Sequence, residues 1–235
     1  KILTQSIRLN YTWGLGGAAF VLICLLFVSG VLLKFVYDPF PGQAYDSIVA
    51  FQSEILFGAF VRNIHYWSSN ILVGVAFLHL LRVFFSGGFL PPRQLNWIFG
   101  LLLFLGCLIS NFTGYLLPWD QLAYWAVTIC MGMLEYIPFI GKGLQGIMMG
   151  GPEIGTSTVR IFYSLHTIVL PIFLTIIAGL HFWYIRKAGG IATPRSLSSV
   201  NSVSDKQSVA DGSELLFKEL VATLVVMAVI LLAAA

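Results

Sequence analysis

The chain of 235 residues contains four histidines, His65, His79, His166 and His181, and every one sits in strongly apolar surroundings. Imidazole ligates metals and changes charge near neutral pH. In hydrocarbon it is costly unless a partner receives it, so each of these residues is a functional candidate. His65 and His79 are 14 residues apart, which on a helix is about 21 Å of rise and within roughly 40° of whole turns. They therefore share a face. His166 and His181 are 15 apart, about 22 Å of rise with an offset of roughly 60°. If both helices run in the same direction, His65 lies level with His166 and His79 with His181. Two imidazoles at each depth are too few for a bare ion, which takes three or four protein ligands. They suit haem, whose ring supplies the other four nitrogens. A lone intramembrane histidine commonly serves a helix–helix hydrogen bond, but two pairs at matched depths are poorly explained that way.

Two further helices repeat the spacing. Gly16 and Gly30 are 14 apart, as are Gly100 and Gly114. A missing side chain at each level would let a flat macrocycle approach the backbone, although glycines in spans also serve small-residue packing. Arg62, Arg82 and Arg160 stand near span ends. They are interface anchors or, with Arg62 and Arg160 on one side and Arg82 on the other, counter-ions for haem propionates.

Composition identifies the solvent these elements need. The residues are 58% apolar, 14% aromatic and only 10% charged, with a mean hydropathy of +0.88. A soluble domain carries about a quarter charged residues, so the chain reads as a polytopic, all-α membrane protein. The net charge of +3, spread over loops, gives no basic patch for nucleic acid. Cys24, Cys107 and Cys130 form neither a disulfide framework nor a zinc site, and no Cys-x-x-Cys-His haem-attachment signal occurs. Lys1 stands where a Met would begin, and Ala-Ala-Ala ends an apolar run; a trimmed chain is expected.

Crossing a bilayer takes about 20 apolar residues. Five windows qualify: 13–36, 62–84, 96–117, 162–186 and 215–235. After the first comes Asp38-Pro39-Phe40-Pro41-Gly42, a turn signal, then an amphipathic stretch ending at Phe57-Gly58. The semi-apolar segment between the third and fourth windows reads as short helices lying on the membrane surface. Residues 1–189 form a four-helix domain, 190–213 a Ser-rich polar linker, and 214–235 a fifth span. The N-terminus, second loop and linker carry nine basic residues, against four on the other side. The positive-inside rule then puts the N-terminus on the cytoplasmic or stromal side.

Residues 11–189 resemble cytochrome b6, the haem-bearing N-terminal half of cytochrome b in the bc1/b6f family. The runs that carry the likeness are Arg62-Asn-Ile-His65, His79-Leu-Leu-Arg82, Ser86-Gly-Gly-Phe89, Thr113-Gly-Tyr-Leu-Leu-Pro-Trp-Asp-Gln121 and Arg160-Ile-Phe-Tyr-Ser-Leu-His166. The 15-residue step and Pro118-Trp119-Asp120-Gln121 look like the b6 form. The resemblance implies two non-covalent b haems, an outer one on His65 and His166 and an inner one on His79 and His181. It implies a quinol oxidation site near Gly114 to Gln121, including Tyr115, Pro118, Trp119, Asp120 and Gln121, and a quinone site on the inner side. It further implies a Rieske iron–sulfur protein, a c-type cytochrome and a subunit IV-like C-terminal half as partners, in a homodimeric complex. The setting it implies is a bacterial inner membrane or, alternatively, a thylakoid.

Two departures stand out. The family's b6 form attaches a third haem through a cysteine before Leu-Gly-Gly; here Gly14 precedes Leu15-Gly16-Gly17, so no covalent third haem is expected. The Pro-Glu-Trp-Tyr element of the C-terminal half is absent from these residues. The competing redox reading is a di-haem membrane anchor serving a dehydrogenase or multihaem partner, which would need the histidines but not Thr113 to Gln121. A transporter or channel with protonatable histidines would show no Soret absorbance, and a purely structural membrane scaffold leaves the histidine register unexplained.

Overall fold

The computed structural model describes residues 14–190 and 212–234. The expected N-terminal basic residues Lys1 and Arg8 and nearly all of the polar linker lie outside the described residues. Among the described residues the chain is wholly helical: α1 (Leu15–Lys34), α2 (Ala44–Glu54), α3 (Gly58–Phe85), α4 (Gln94–Leu116), α5 (Gln121–Glu135), α6 (Gly141–Met149), α7 (Thr156–Ser164), a π-helical turn (Leu165–Val169), α8 (Leu170–Lys187) and α9 (Gly212–Ala234). Four are long and apolar enough to cross a membrane: α1, α3, α4 and the continuous α7–α8 rod. The fifth helix contributes a shorter apolar stretch, Leu220–Ala234. Large apolar side chains cover their outer faces, such as Val28 at 64% exposure and Ile172 at 55%. Such surface is tolerated only where lipid or a partner covers it.

The spans pack as a bundle, α1 on α3, α3 on α4 and α4 on α8, with α9 against α3 and α1. Their shared core is one apolar layer drawn from all five: Leu22, Leu72, Cys107, Leu174 and Ile230. Its position matters. Leu72 is seven residues from both His65 and His79, and Cys107 seven from both Gly100 and Gly114. The layer thus closes the bundle midway between the two histidine levels. Near the start of α3, Asn63 donates from Nδ2 to the Ala234 carbonyl at 3.1 Å. That contact puts the C-terminal end of α9 beside the N-terminal end of α3.

Both long histidine helices begin earlier than hydropathy predicts. Helix α3 starts at Gly58, not 62, because α2 folds back onto it: a Cβ at Gly58 would overlap the Phe51 carbonyl oxygen, so glycine alone permits that approach. The fourth span extends to Thr156. There the Thr158 hydroxyl accepts from the Gly155 N–H at 3.1 Å and donates to the Met149 carbonyl at 2.8 Å.

Helices α2, α5 and α6 are the expected amphipathic surface pieces. A second core cluster, Leu116, Ala123, Val127, Met131 and Phe162, docks α5 on the ends of α4 and α7. Asp120 caps α5, its side chain accepting from the Ala123 N–H at 2.8 Å. On the opposite side Arg93 donates to the carbonyls of Gly190 and Ala188 at 2.5 and 3.1 Å, closing the C-terminal end of α8. The three cysteines are free.

Candidate functional site

The π turn contains His166, and it resolves the mismatch between the 14- and 15-residue steps. Leu170 N–H donates to Leu165 C=O, a five-residue span where an α-helix uses four. Pro171 follows directly. It has no N–H to give the carbonyl four residues back, and its ring crowds that carbonyl; a widened turn relieves both problems. One residue absorbed this way removes about 100° of rotation. The 15-residue step then behaves like the 14-residue step on α3, and the roughly 60° offset expected from a regular helix does not arise.

His65 and His166, the pair expected at the outer level, come together in space. The His65 and His166 rings stand 6.2 Å apart between centroids, inclined by 76°. His181 lies within electrostatic reach of His79 at the inner level, as does Arg82. All four imidazoles are half-buried. Beneath each lies one of the expected glycines, in an order the sequence did not disclose. A Cβ at Gly16 would come within 3.3 Å of His79 Cε1, at Gly30 within 3.2 Å of His65 Cε1, at Gly100 within 3.6 Å of His181 Cε1, and at Gly114 within 2.6 Å of His166 Cε1. Each glycine therefore leaves room for an imidazole. Helix α1 backs the histidines of α3, and α4 backs those of α8.

Hydrogen bonds orient the outer rings. Ser29 Oγ is 2.9 Å from His65 Nδ1, and Thr113 Oγ1 is 3.2 Å from His166 Nδ1. With Nδ1 engaged, Nε2 is the nitrogen left for a metal. An imidazole nitrogen binds a first-row metal at about 2.0–2.1 Å, and with a ring radius of about 1.2 Å on each side two centroids straddling one ion would stand roughly 6.4 Å apart. The observed 6.2 Å fits that arrangement. Among the described residues no group of three or more His, Cys, Asp or Glu side chains is placed to hold a metal. An ion at either level would take two protein nitrogens and the rest from a planar macrocycle, which is the donor set of a bis-histidine haem.

The other candidate residues separate by position. Arg62 is one turn before His65 on α3. Arg160 lays its guanidinium 4.3 Å above the Phe40 ring, in a cation–π contact with the loop after α1. Tyr115 is exposed and Pro118 half-buried. Trp119 adopts a left-handed backbone, with φ of 52°, and Asp120 is the helix cap described above. Asp120 and Gln121, with Leu122 and Trp125, line a shallow open depression at the start of α5.

Sequence reasoning missed Tyr37. It stacks on Tyr163 at 5.4 Å and donates from its hydroxyl to the Leu117 carbonyl at 2.6 Å. Burial, then Tyr163 and Asp38, push its phenol above the ordinary range, so it stays a neutral donor. It ties the loop after α1 to the end of α4, next to Pro118. A lone tyrosine beyond a span gives no such signal in sequence. The hydroxyl partners did leave one, in the dipeptides Ser29-Gly30 and Thr113-Gly114.

Comparison with known proteins agrees with this geometry. A sequence model of the family described as Cytochrome b/b6/petB matches residues 2–189. The chain is 41% identical to the cytochrome b6 of Acaryochloris marina over 182 residues, 77% of this chain and 85% of that protein. It is 39% identical to that of Synechococcus elongatus, with the same coverage. Its fold is similar to a chain of a solved hyperthermophilic respiratory Complex III, with a TM-score of 0.87 and 25% identity. That likeness covers 99% of this chain, which spans about three-fifths of the other chain, at 61%. Matched over more than three-quarters of its length, the chain belongs to the cytochrome b/b6 family.

Proposed function

We propose that the chain is the di-haem cytochrome b subunit of a quinol:cytochrome c or plastocyanin oxidoreductase. His65 and His166 would hold the outer haem through Nε2, and His79 and His181 the inner one. Haem, when bound, supplies reversible one-electron exchange at its iron. The protein supplies the rest: paired ligands at two depths, about 21 Å apart by helical rise, and an apolar layer between them that excludes water and ions. Arg62 and Arg82, one turn from His65 and His79, would receive haem carboxylates at the outer and inner edges.

Quinol would be oxidised beside Tyr115 to Gln121 on the outer side and quinone reduced on the inner side, so that electron passage separates charge across the membrane. The N-terminus would lie on the cytoplasmic or stromal side. A Rieske protein, a c-type cytochrome and a subunit IV-like half would complete a homodimeric complex. Gly14 offers no thioether, so no covalent haem belongs to this chain. The observation that carries this reading is the two-level imidazole geometry, with a glycine under every ring. Redox-titrated visible spectra of the purified complex test it. Two b-type components that accept electrons from added quinol support the assignment; a single component, or none reducible by quinol, contradicts it.

A further inference from the structure

The two histidine levels differ in one respect that their ligands do not explain. Ser29 and Thr113 are buried, at 4% and 2% exposure, and each faces the Nδ1 of an outer imidazole. A hydroxyl has one proton. Ser29 Oγ is 2.7 Å from the Leu25 carbonyl, and Thr113 Oγ1 is 2.9 Å from the Ile109 carbonyl. A carbonyl oxygen only accepts, so each hydroxyl gives its proton to its own helix. Towards the imidazole it must accept. Nδ1 of His65 and of His166 therefore carries the hydrogen, and the lone pair sits on Nε2. Among the described residues no hydroxyl takes this place at the inner level: Leu15 and Phe99 precede Gly16 and Gly100, and it is the Asn96 backbone that stands within hydrogen-bonding reach of His181.

We infer that Ser29 and Thr113 are positioning residues of the outer centre: they fix both outer imidazoles in the Nδ1–H form and, by accepting those hydrogens, make them stronger electron donors than they would be without the hydroxyls. An acceptor on the far nitrogen raises the basicity of a ligating imidazole. A more basic ligand favours the oxidised metal, so the pair of hydroxyls holds the outer centre at a lower potential than it would otherwise have. This inference rests on the two-haem reading above.

Redox titration of the haem bands in the intact complex tests it, comparing Ser29→Ala and Thr113→Val with Ser29→Thr and Thr113→Ser. Removing either hydroxyl should shift the outer midpoint upward and leave the inner midpoint in place. The hydroxyl-keeping variants should titrate like the parent. Selective loss of the outer haem in Ser29→Ala, with its return in Ser29→Thr, would also support the inference. An unmoved outer midpoint in both hydroxyl-free variants would overturn it. So would equal shifts of both midpoints, or a hydroxyl-keeping variant that departs from the parent, by shift or haem loss, as far as its hydroxyl-free counterpart. Failure of the parent complex to show two b-type components would instead sink the two-haem reading itself.

Discussion

The π turn makes a prediction that no other feature of the fold makes. Deleting Ile168 removes one residue from Leu165–Val169, and the turn should close into ordinary α-helix. The step from His166 to His181 then becomes 14 residues, equal to the step on α3, so both imidazole levels survive and the protein keeps two haems. Inserting one alanine after Ile176 has the opposite effect. It turns His181 by about 100° relative to His166 and moves it 1.5 Å along the axis. For a side-chain tip roughly 5–6 Å from the helix axis, that rotation displaces the imidazole by about 8 Å, well outside ligand distance of an iron shared with His79. The inner haem should be lost and the outer one kept. Haem per polypeptide, measured as pyridine haemochrome, should read two for the deletion and one for the insertion. Loss of the inner haem in the deletion, or two haems in the insertion, would refute the register argument.

The glycine contacts are graded, so their substitutions should be too. Gly114→Ala, whose Cβ would meet His166 at 2.6 Å, should lower outer-haem occupancy, whereas Gly100→Ala, at 3.6 Å from His181, should retain the inner haem; quantified haem content of each variant checks the order. Tyr37→Phe leaves the Leu117 carbonyl without its hydroxyl donor and should cost about 1–2 kcal/mol, seen as a lower thermal midpoint with both haem spectra unchanged. Asp120→Ala should destabilise by about 1 kcal/mol through loss of the α5 cap, while Asp120→Asn, also a good cap, should be close to neutral in stability. Unaltered quinol oxidation in Asp120→Asn would confine Asp120 to a capping role, and a large loss would assign its carboxylate to the reaction.

Much of this arrangement is legible in the chain because a membrane leaves few options for an imidazole. His65, His79 and the two glycine pairs share one period, and a straight helix preserves it, so their faces and depths follow from counting. His166 and His181 break the period by one residue, and no periodicity argument distinguishes a 60° offset from a π turn. Only Pro171, beside the extra residue, hints at the local repair. The glycines were legible as clearances, but their contact with the imidazoles was not, since which helix backs which depends on the packing order α1–α3 and α4–α8. The ends of α3 and α7 escaped hydropathy because backbone contacts set them: Phe51 against Gly58, and the Thr158 hydroxyl between Gly155 and Met149. Tyr37 was invisible for the same reason, as its partner Leu117 is 80 residues away.

Each level of imidazoles should clasp one extractable haem. Acid-acetone extraction of the purified protein, followed by haem quantification against polypeptide, tests it most directly. The account predicts two haems per chain, both extracted, falling to one when either His65 or His79 is replaced by leucine. A parent value near zero, or haem that stays with the polypeptide after extraction, would contradict it.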